Sequence, residues 1–262
     1  MSMAIDTGLV GVSLKLHLGY AESRDWLHRV RALTDAAGET GGAELFVLPA
    51  FPLLPLAAEL FAGTPVRYGA QNAHSAQRGA YTGEVSPAML AELGCHYLEI
   101  GHAERRALFG ETDAVIAAKT RAAAEAGLTP VLCVGEERPG PAAAAADRVR
   151  DQLDAALAEF PAHRPLVVAY EPVWAIGAAA AASPSHITAV TGAVRAHLTD
   201  RPTRILYGGS AAPGLYPHLA KTADHAAHLP DGLFLGRSAH DTTHLATVLQ
   251  EVGARCGADG GS

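Results

Sequence analysis

Apolar residues fall along this chain in two alternating rhythms. Eight short, nearly continuous apolar runs are each bounded by glycine, proline or a polar cluster: LVGVSLKL (9–16), ELFVLP (44–49), VRYGAQ (66–71), CHYLEIG (95–101), TPVLCVG (129–135), LVVAYE (166–171), RILYGG (204–209) and GLFLG (232–236). A run of that length without polar alternation reads as a strand covered on both faces. Between the runs lie longer stretches at 21–37, 113–126, 142–159, 185–198 and 243–255, in which apolar positions recur every three or four residues, the period of an amphipathic helix. The repeating unit is βα. Eight such units in 262 residues predict a parallel sheet closed on itself, an α/β fold of the (β/α)8 barrel type, as one domain over 1–262. An open doubly wound sheet is the rival, but no GxGxxG follows the first run and the composition never shifts as it would at a domain boundary. The five-alanine runs at 142–146 and 178–182 are too short for linkers, and the first is predicted to open a helix.

In such a barrel, chemistry belongs where the C-terminal strand ends meet the following loops. Reading along those ends gives Lys15, Gln71 with Asn72, His102 with Glu104, Glu136, Glu171, Ser210 and Arg237, a polar set gathered at one end of the barrel.

Composition narrows the range of partners. With 49% hydrophobic and 18% charged residues and no apolar run near the ~20 residues of a membrane span, the chain reads as a soluble globular protein. Its start lacks the pattern of a secretory signal, which predicts a cytoplasmic location. A formal net charge of −7 without a basic block argues against nucleic acid or an anionic membrane as partner. Cys95, Cys133 and Cys256 lack CxxC spacing and are expected to be free thiols. The 13 histidines form neither HExxH nor HxH, so no metal is expected. His74, His163, His186, His197 and His218 read as surface or packing residues, and His102 alone sits in a chemical context.

Five segments in order, GAQN with GAYTGE (69–84), GHAERR followed by FGE (101–111), LCVGE (132–136), AYEPVWAIG (169–177) and LYGGS (206–210), resemble the triosephosphate isomerase family over nearly the whole chain. The resemblance implies the TIM barrel, no cofactor, a likeness to dimeric enzymes of glycolysis and gluconeogenesis, and interconversion of phosphorylated short-chain sugars through an enediolate. It makes Glu171 the base, His102 the electrophile and Lys15 the cation that stabilises developing negative charge. It assigns Gly177, Ser210 and Gly236 to phosphate binding, and Glu104 to orienting Lys15. PVWAIGAAAAASP (172–184) corresponds to a lid hinged at Pro172-Val173-Trp174, with Glu136 and Tyr207 as the groups that hold its open and closed positions. The loop around 73–79 corresponds to the segment that enters a partner's site in a homodimer.

Several residues depart from the family's pattern. SLKLH (13–17) keeps only the lysine of the usual first loop, so Ser13 removes an amide beside the reacting carbons. Ala103 replaces a serine. GAAAA (177–181) replaces a more polar lid tip, and alanine at 179 would cost about 1 kcal/mol if that position needs positive φ. Arg237 follows Gly236 where a second glycine is usual, which adds either a solvent-facing side chain or a cationic contact to the ligand. Ser13 with GLFLGRSA is similar to a branch acting on L-erythrulose 1-phosphate. Triose phosphate and a tetrulose phosphate therefore both stand as expected substrates. A catalytically weakened sugar-phosphate-binding or regulatory protein on the same fold is the alternative, and an open-sheet dehydrogenase is more distant.

Overall fold

Eight parallel strands close into a barrel in chain order: β1 (Leu9–Ser13), β2 (Glu44–Leu48), β3 (Arg67–Ala70), β4 (Tyr97–Ile100), β5 (Thr129–Val134), β6 (Leu166–Tyr170), β7 (Thr203–Tyr207) and β8 (Gly232–Leu235). The computed structural model describes residues 7–35 and 41–254. The last strand closes on the first with Leu9 opposite Gly232 and Val12 opposite Leu235. All eight runs read from the sequence are strands, most of them shorter than the run. β1 ends at Ser13 rather than at residue 16 because Lys15 adopts a left-handed backbone, φ 51°, which a strand cannot continue through.

The helices are α1 (Tyr20–Asp35), α2 (Leu54–Phe61), α3 (Pro87–Glu92), α4 (Ala103–Phe109), α5 (Asp113–Glu125), α6 (Ala142–Leu157), α7 (Pro184–His197), α8 (Leu215–Thr222) and α9 (Thr242–Gly253). The five predicted helices are α1, α5, α6, α7 and α9, and α6 does open at the first alanine run. The end of the first predicted helix at 36–37, the last residue of the fifth at 255 and Cys256 lie outside the described residues. Outward strand side chains such as Val10, Val12, Val47, Leu98 and Ile100 pack with Trp26, Leu54, Ile116 and Leu245 of the helical shell. Each buried apolar side chain of this kind contributes about 1.5–3 kcal/mol.

Inside the barrel, Leu9, Phe46, Val131, Val167, Leu206 and Phe234 fill the lower layers. Gly11 is required there, because a Cβ at that position would lie 2.3 Å from the Phe46 ring and 2.7 Å from that of Phe234. Toward the C-terminal end the interior turns polar at Ser13 and Glu99, both buried, beside Cys133. Cys95 and Cys133 are buried free thiols, and burial pushes the Cys95 thiol up to about 12. Among the described residues, no helix is long and apolar enough to cross a membrane.

Candidate active site

Glu171 follows β6 directly, its N–H donating to the Val134 carbonyl at 2.8 Å, so the strand ladder fixes its backbone. Its side chain lies against Gly208 at the end of β7, where a Cβ would fall 2.3 Å from both Glu171 Cγ and Oε1. His102 is the N-cap of α4. Its Nδ1 accepts the Glu104 backbone N–H at 3.1 Å. A ring nitrogen that accepts carries no proton, so the imidazole proton sits on Nε2. That Nε2 lies 3.5 Å from Glu171 Oε2. Both atoms are buried, and neither has a hydrogen-bond partner in the protein. Buried polar atoms are rarely left so, and a site awaiting a polar ligand is one of the few places that accounts for it.

Lys15 reaches the same point from the first loop. Its Nζ donates to Glu104 Oε1 at 2.7 Å, and Gln71 Nε2 donates to its backbone carbonyl at 3.1 Å, holding the left-handed turn. Burial works to raise the Glu104 carboxyl, but the hydrogen bond from Lys15 and the neighbouring positive groups outweigh it and hold the pKa below the usual carboxylate value.

A cavity of about 450 Å³ opens above these groups, lined by Lys15, Glu171, Gly177, Ser210, Gly236 and Arg237 among others. Among the described residues, the backbone N–H groups of Gly177, Ser210 and Gly236 have no protein acceptor. Such N–H groups suit an oxyanion without adding net positive charge. Ser210 shares with Lys15 the distinction of positive φ in a non-glycine residue, at 55°. Arg237 extends toward the lid, since a Cβ on Gly177 would lie 3.2 Å from its Nη2.

The segment 172–182 is seated on the barrel by ties at both ends. After a 3₁₀ turn at Val173–Ala175, Trp174 Nε1 donates to Glu136 Oε1 at 2.8 Å. Glu136 also accepts from Tyr170 Oη at 3.1 Å and lies 3.2 Å from His186 Nε2. At the far end the Ala182 N–H donates to Tyr207 Oη at 3.0 Å, while that hydroxyl donates to the Gly209 carbonyl at 2.7 Å. Ser210 Oγ lies 2.8 and 2.9 Å from the Ala175 and Ala178 carbonyls. The ties at Glu136 and Tyr207, expected to alternate, are thus made together in one conformation. The tip at 177–180 is exposed. Ala179 carries none of the anticipated strain, because Lys15 and Ser210 are the only non-glycine residues with positive φ among those described.

Ser13 lines the cavity, but its Oγ donates to Glu99 Oε2 at 2.8 Å. Cys133 Sγ is 3.9 Å from the other oxygen. Glu99, His186 and Gly208 are the residues whose place in the site was not read from the sequence. The signal for Glu99 was present: within YLEI, Tyr97 and Glu99 alternate with Leu98 and Ile100, which puts the glutamate on the inner face of β4.

A closed βα barrel with a buried carboxylate and imidazole facing each other at the C-terminal strand ends is built as a (β/α)8-barrel enzyme is. The chain belongs to the triosephosphate isomerase family, whose description it matches over residues 8–252. It is 46% identical over 252 residues to an L-erythrulose-1-phosphate isomerase from Pectobacterium atrosepticum, covering 93% of this chain and 95% of that one. It is 42% identical over 257 residues to a triosephosphate isomerase from Thermus thermophilus, covering 94% and 98%. The crystal structure of triosephosphate isomerase from Bartonella henselae superposes with a TM-score of 0.77 at 27% identity, covering 93% of this chain and 98% of that one.

Proposed function

We propose that this isomerase acts on a tetrulose 1-phosphate such as L-erythrulose 1-phosphate, by proton transfer through an enediolate. The observation that carries the chemistry is the buried, unpartnered pair of His102 Nε2 and Glu171 Oε2, 3.5 Å apart. The Glu171 carboxylate takes the proton from the carbon next to the carbonyl on the side away from the phosphate. The C–H electron pair becomes the new carbon–carbon π bond, and the carbonyl π pair moves to oxygen. His102 Nε2–H and the Lys15 ammonium stabilise that oxygen, His102 passes it a proton and takes the one on the neighbouring hydroxyl, and Glu171 returns its proton to the former carbonyl carbon as the hydroxyl oxygen becomes the new carbonyl. Nothing is oxidised or reduced overall, so the reaction needs no cofactor. The phosphate sits on the N–H groups of Gly177, Ser210 and Gly236, with Arg237 as an added cation and Trp174, Glu136 and Tyr207 holding the lid over it. On a tetrulose 1-phosphate the step moves the carbonyl from C2 to C3. On a triose phosphate it interconverts an aldose and a ketose.

The tetrulose is favoured by the small Ser13 beside the reacting carbons, by Arg237 near the lid and by the 46% identity to the Pectobacterium enzyme. Triose phosphate, with a place in glycolysis and gluconeogenesis, is the second reading, favoured by the relationship to the Thermus enzyme. A cytoplasmic homodimer is the assembly that goes with either. The experiment is NMR in D2O. The wild type is expected to place deuterium on carbon in L-erythrulose 1-phosphate or dihydroxyacetone phosphate, and Glu171→Ala is expected to bind but not exchange. Binding without exchange by the wild type would instead make it a sugar-phosphate-binding protein.

A further inference from the structure

The group that the mechanism above leaves unused is Glu99. It stands on the inner face of β4 at 3% exposure, where barrel interiors hold branched apolar side chains. Among the described residues no lysine or arginine pairs with it. A buried carboxyl without a counter-charge is unfavourable unless it is hydrogen-bonded, and its neighbours here are Ser13 Oγ at 2.8 Å and Cys133 Sγ at 3.9 Å. Ser13 is one of the residues lining the catalytic cavity.

A second cavity of about 340 Å³ adjoins the first, and Glu99, His102, Gln71 and Asn72 line it. Ser13, Lys15 and Glu104 line both cavities, whereas Gly177, Ser210 and Gly236 line only the first. A sugar phosphate anchored by its phosphate at those N–H groups therefore extends its other end past Glu171 and His102 toward Ser13 and the second cavity.

We propose that Glu99 is a positioning residue for substrate choice, which through Ser13 Oγ reads the sugar hydroxyl farthest from the phosphate. This rests on the tetrulose reading, because a tetrulose carries a hydroxymethyl group beyond the reacting carbons and a triose does not. Burial favours the protonated carboxyl. In the structure Ser13 Oγ donates to Glu99 Oε2, which leaves the serine's lone pairs to accept the proton of that sugar hydroxyl.

The test is the ratio of kcat/KM for L-erythrulose 1-phosphate over dihydroxyacetone phosphate in wild type, Glu99→Gln, Glu99→Leu, Ser13→Ala and the Glu99→Leu/Ser13→Ala double variant, with thermal unfolding as a check on folding. Glu99→Leu is expected to lower the ratio about tenfold or more, the usual size for a site left with an unmade hydrogen bond. Glu99→Gln, whose amide oxygen still accepts from Ser13 Oγ, is expected to keep the ratio within about threefold, and the double variant to fall no further than either single one. An unchanged ratio in Glu99→Leu, or an equal fall in Glu99→Gln, overturns the proposal. If Glu99→Leu does not fold, an unchanged ratio in Ser13→Ala overturns it equally. Failure of the wild type to turn over the tetrulose overturns the tetrulose reading and this inference together. Flat variants of an active wild type overturn this inference alone.

Discussion

At the scale of single residues, the site depends as much on what is missing as on what is present. The Glu171 carboxylate can lie beside His102 only because residue 208 has no side chain in the 2.3 Å gap that a Cβ would enter. Gly208→Ala is expected to fold, since its collision is with a side chain end rather than backbone, yet to push the base aside by an ångström or so and lower kcat about 100-fold. Steady-state kinetics with circular dichroism checks this. Glu99 gives a pH prediction. Burial, helped by the nearby Glu171 carboxylate, raises its folded pKa above the ordinary 4.5, against smaller lowering effects of His102, Ser13 and Lys15. A raised pKa contributes stability that is fully present below the unfolded value and is lost as pH rises through the folded one. The Tm of the wild type relative to Glu99→Gln should therefore fall as pH rises above the carboxylate range. A difference in Tm that does not change with pH would mean that Glu99 titrates as an ordinary carboxyl. The placement of Glu171, His102 and Lys15 together at one end of the barrel was legible in the sequence because their motifs bracket strand ends. Glu99 was not, because a single acidic letter in an apolar run shows its meaning only when the inner face of β4 is assigned.

At the scale of elements, all eight strands were legible because each is covered by side chains on both faces and so reads as an unbroken apolar run. α2, α3, α4 and α8 were not, because at six to eight residues they span about two turns, too few for a 3.6-residue period to emerge. Two of them announce themselves only by a proline in the first turn. In the proposed function the lid is held by its ends, at Trp174 and Ala182, and its exposed alanines at 178–180 supply backbone alone. Tyr207→Phe deletes the acceptor of the Ala182 N–H and the donor to Gly209. At roughly 0.5–1.5 kcal/mol per hydrogen bond, lid seating should weaken by about tenfold. The expected result is a kcat lower by about that factor and faster proteolytic cutting within 177–181, both measured against the wild type.

At the scale of the molecule, the ligand proposed for this acidic protein is itself acidic. The formal net charge of −7 would repel a sugar phosphate at long range, and the site meets it with oriented N–H groups, Lys15 and Arg237 rather than a basic surface. The exposed apolar side chains Leu16 (91%), Phe109 (66%) and Phe51 (37%) rim the second cavity, next to Lys15 and Glu104. Such a patch beside the site fits a surface covered by a second copy of the chain. Light scattering is expected to give twice the 27.1 kDa chain mass, and Leu16→Asp to shift it toward the single-chain value.

The central claim, a triosephosphate-isomerase-family enzyme with its substrate choice moved to four carbons, is tested most directly by kcat/KM on L-erythrulose 1-phosphate and dihydroxyacetone phosphate side by side, with Glu171→Ala as the blank. A preference for the tetrulose of about tenfold or more is the predicted result. Efficient turnover of the triose with little or none of the tetrulose would contradict it and make Ser13 and Arg237 neutral changes in a triose phosphate enzyme.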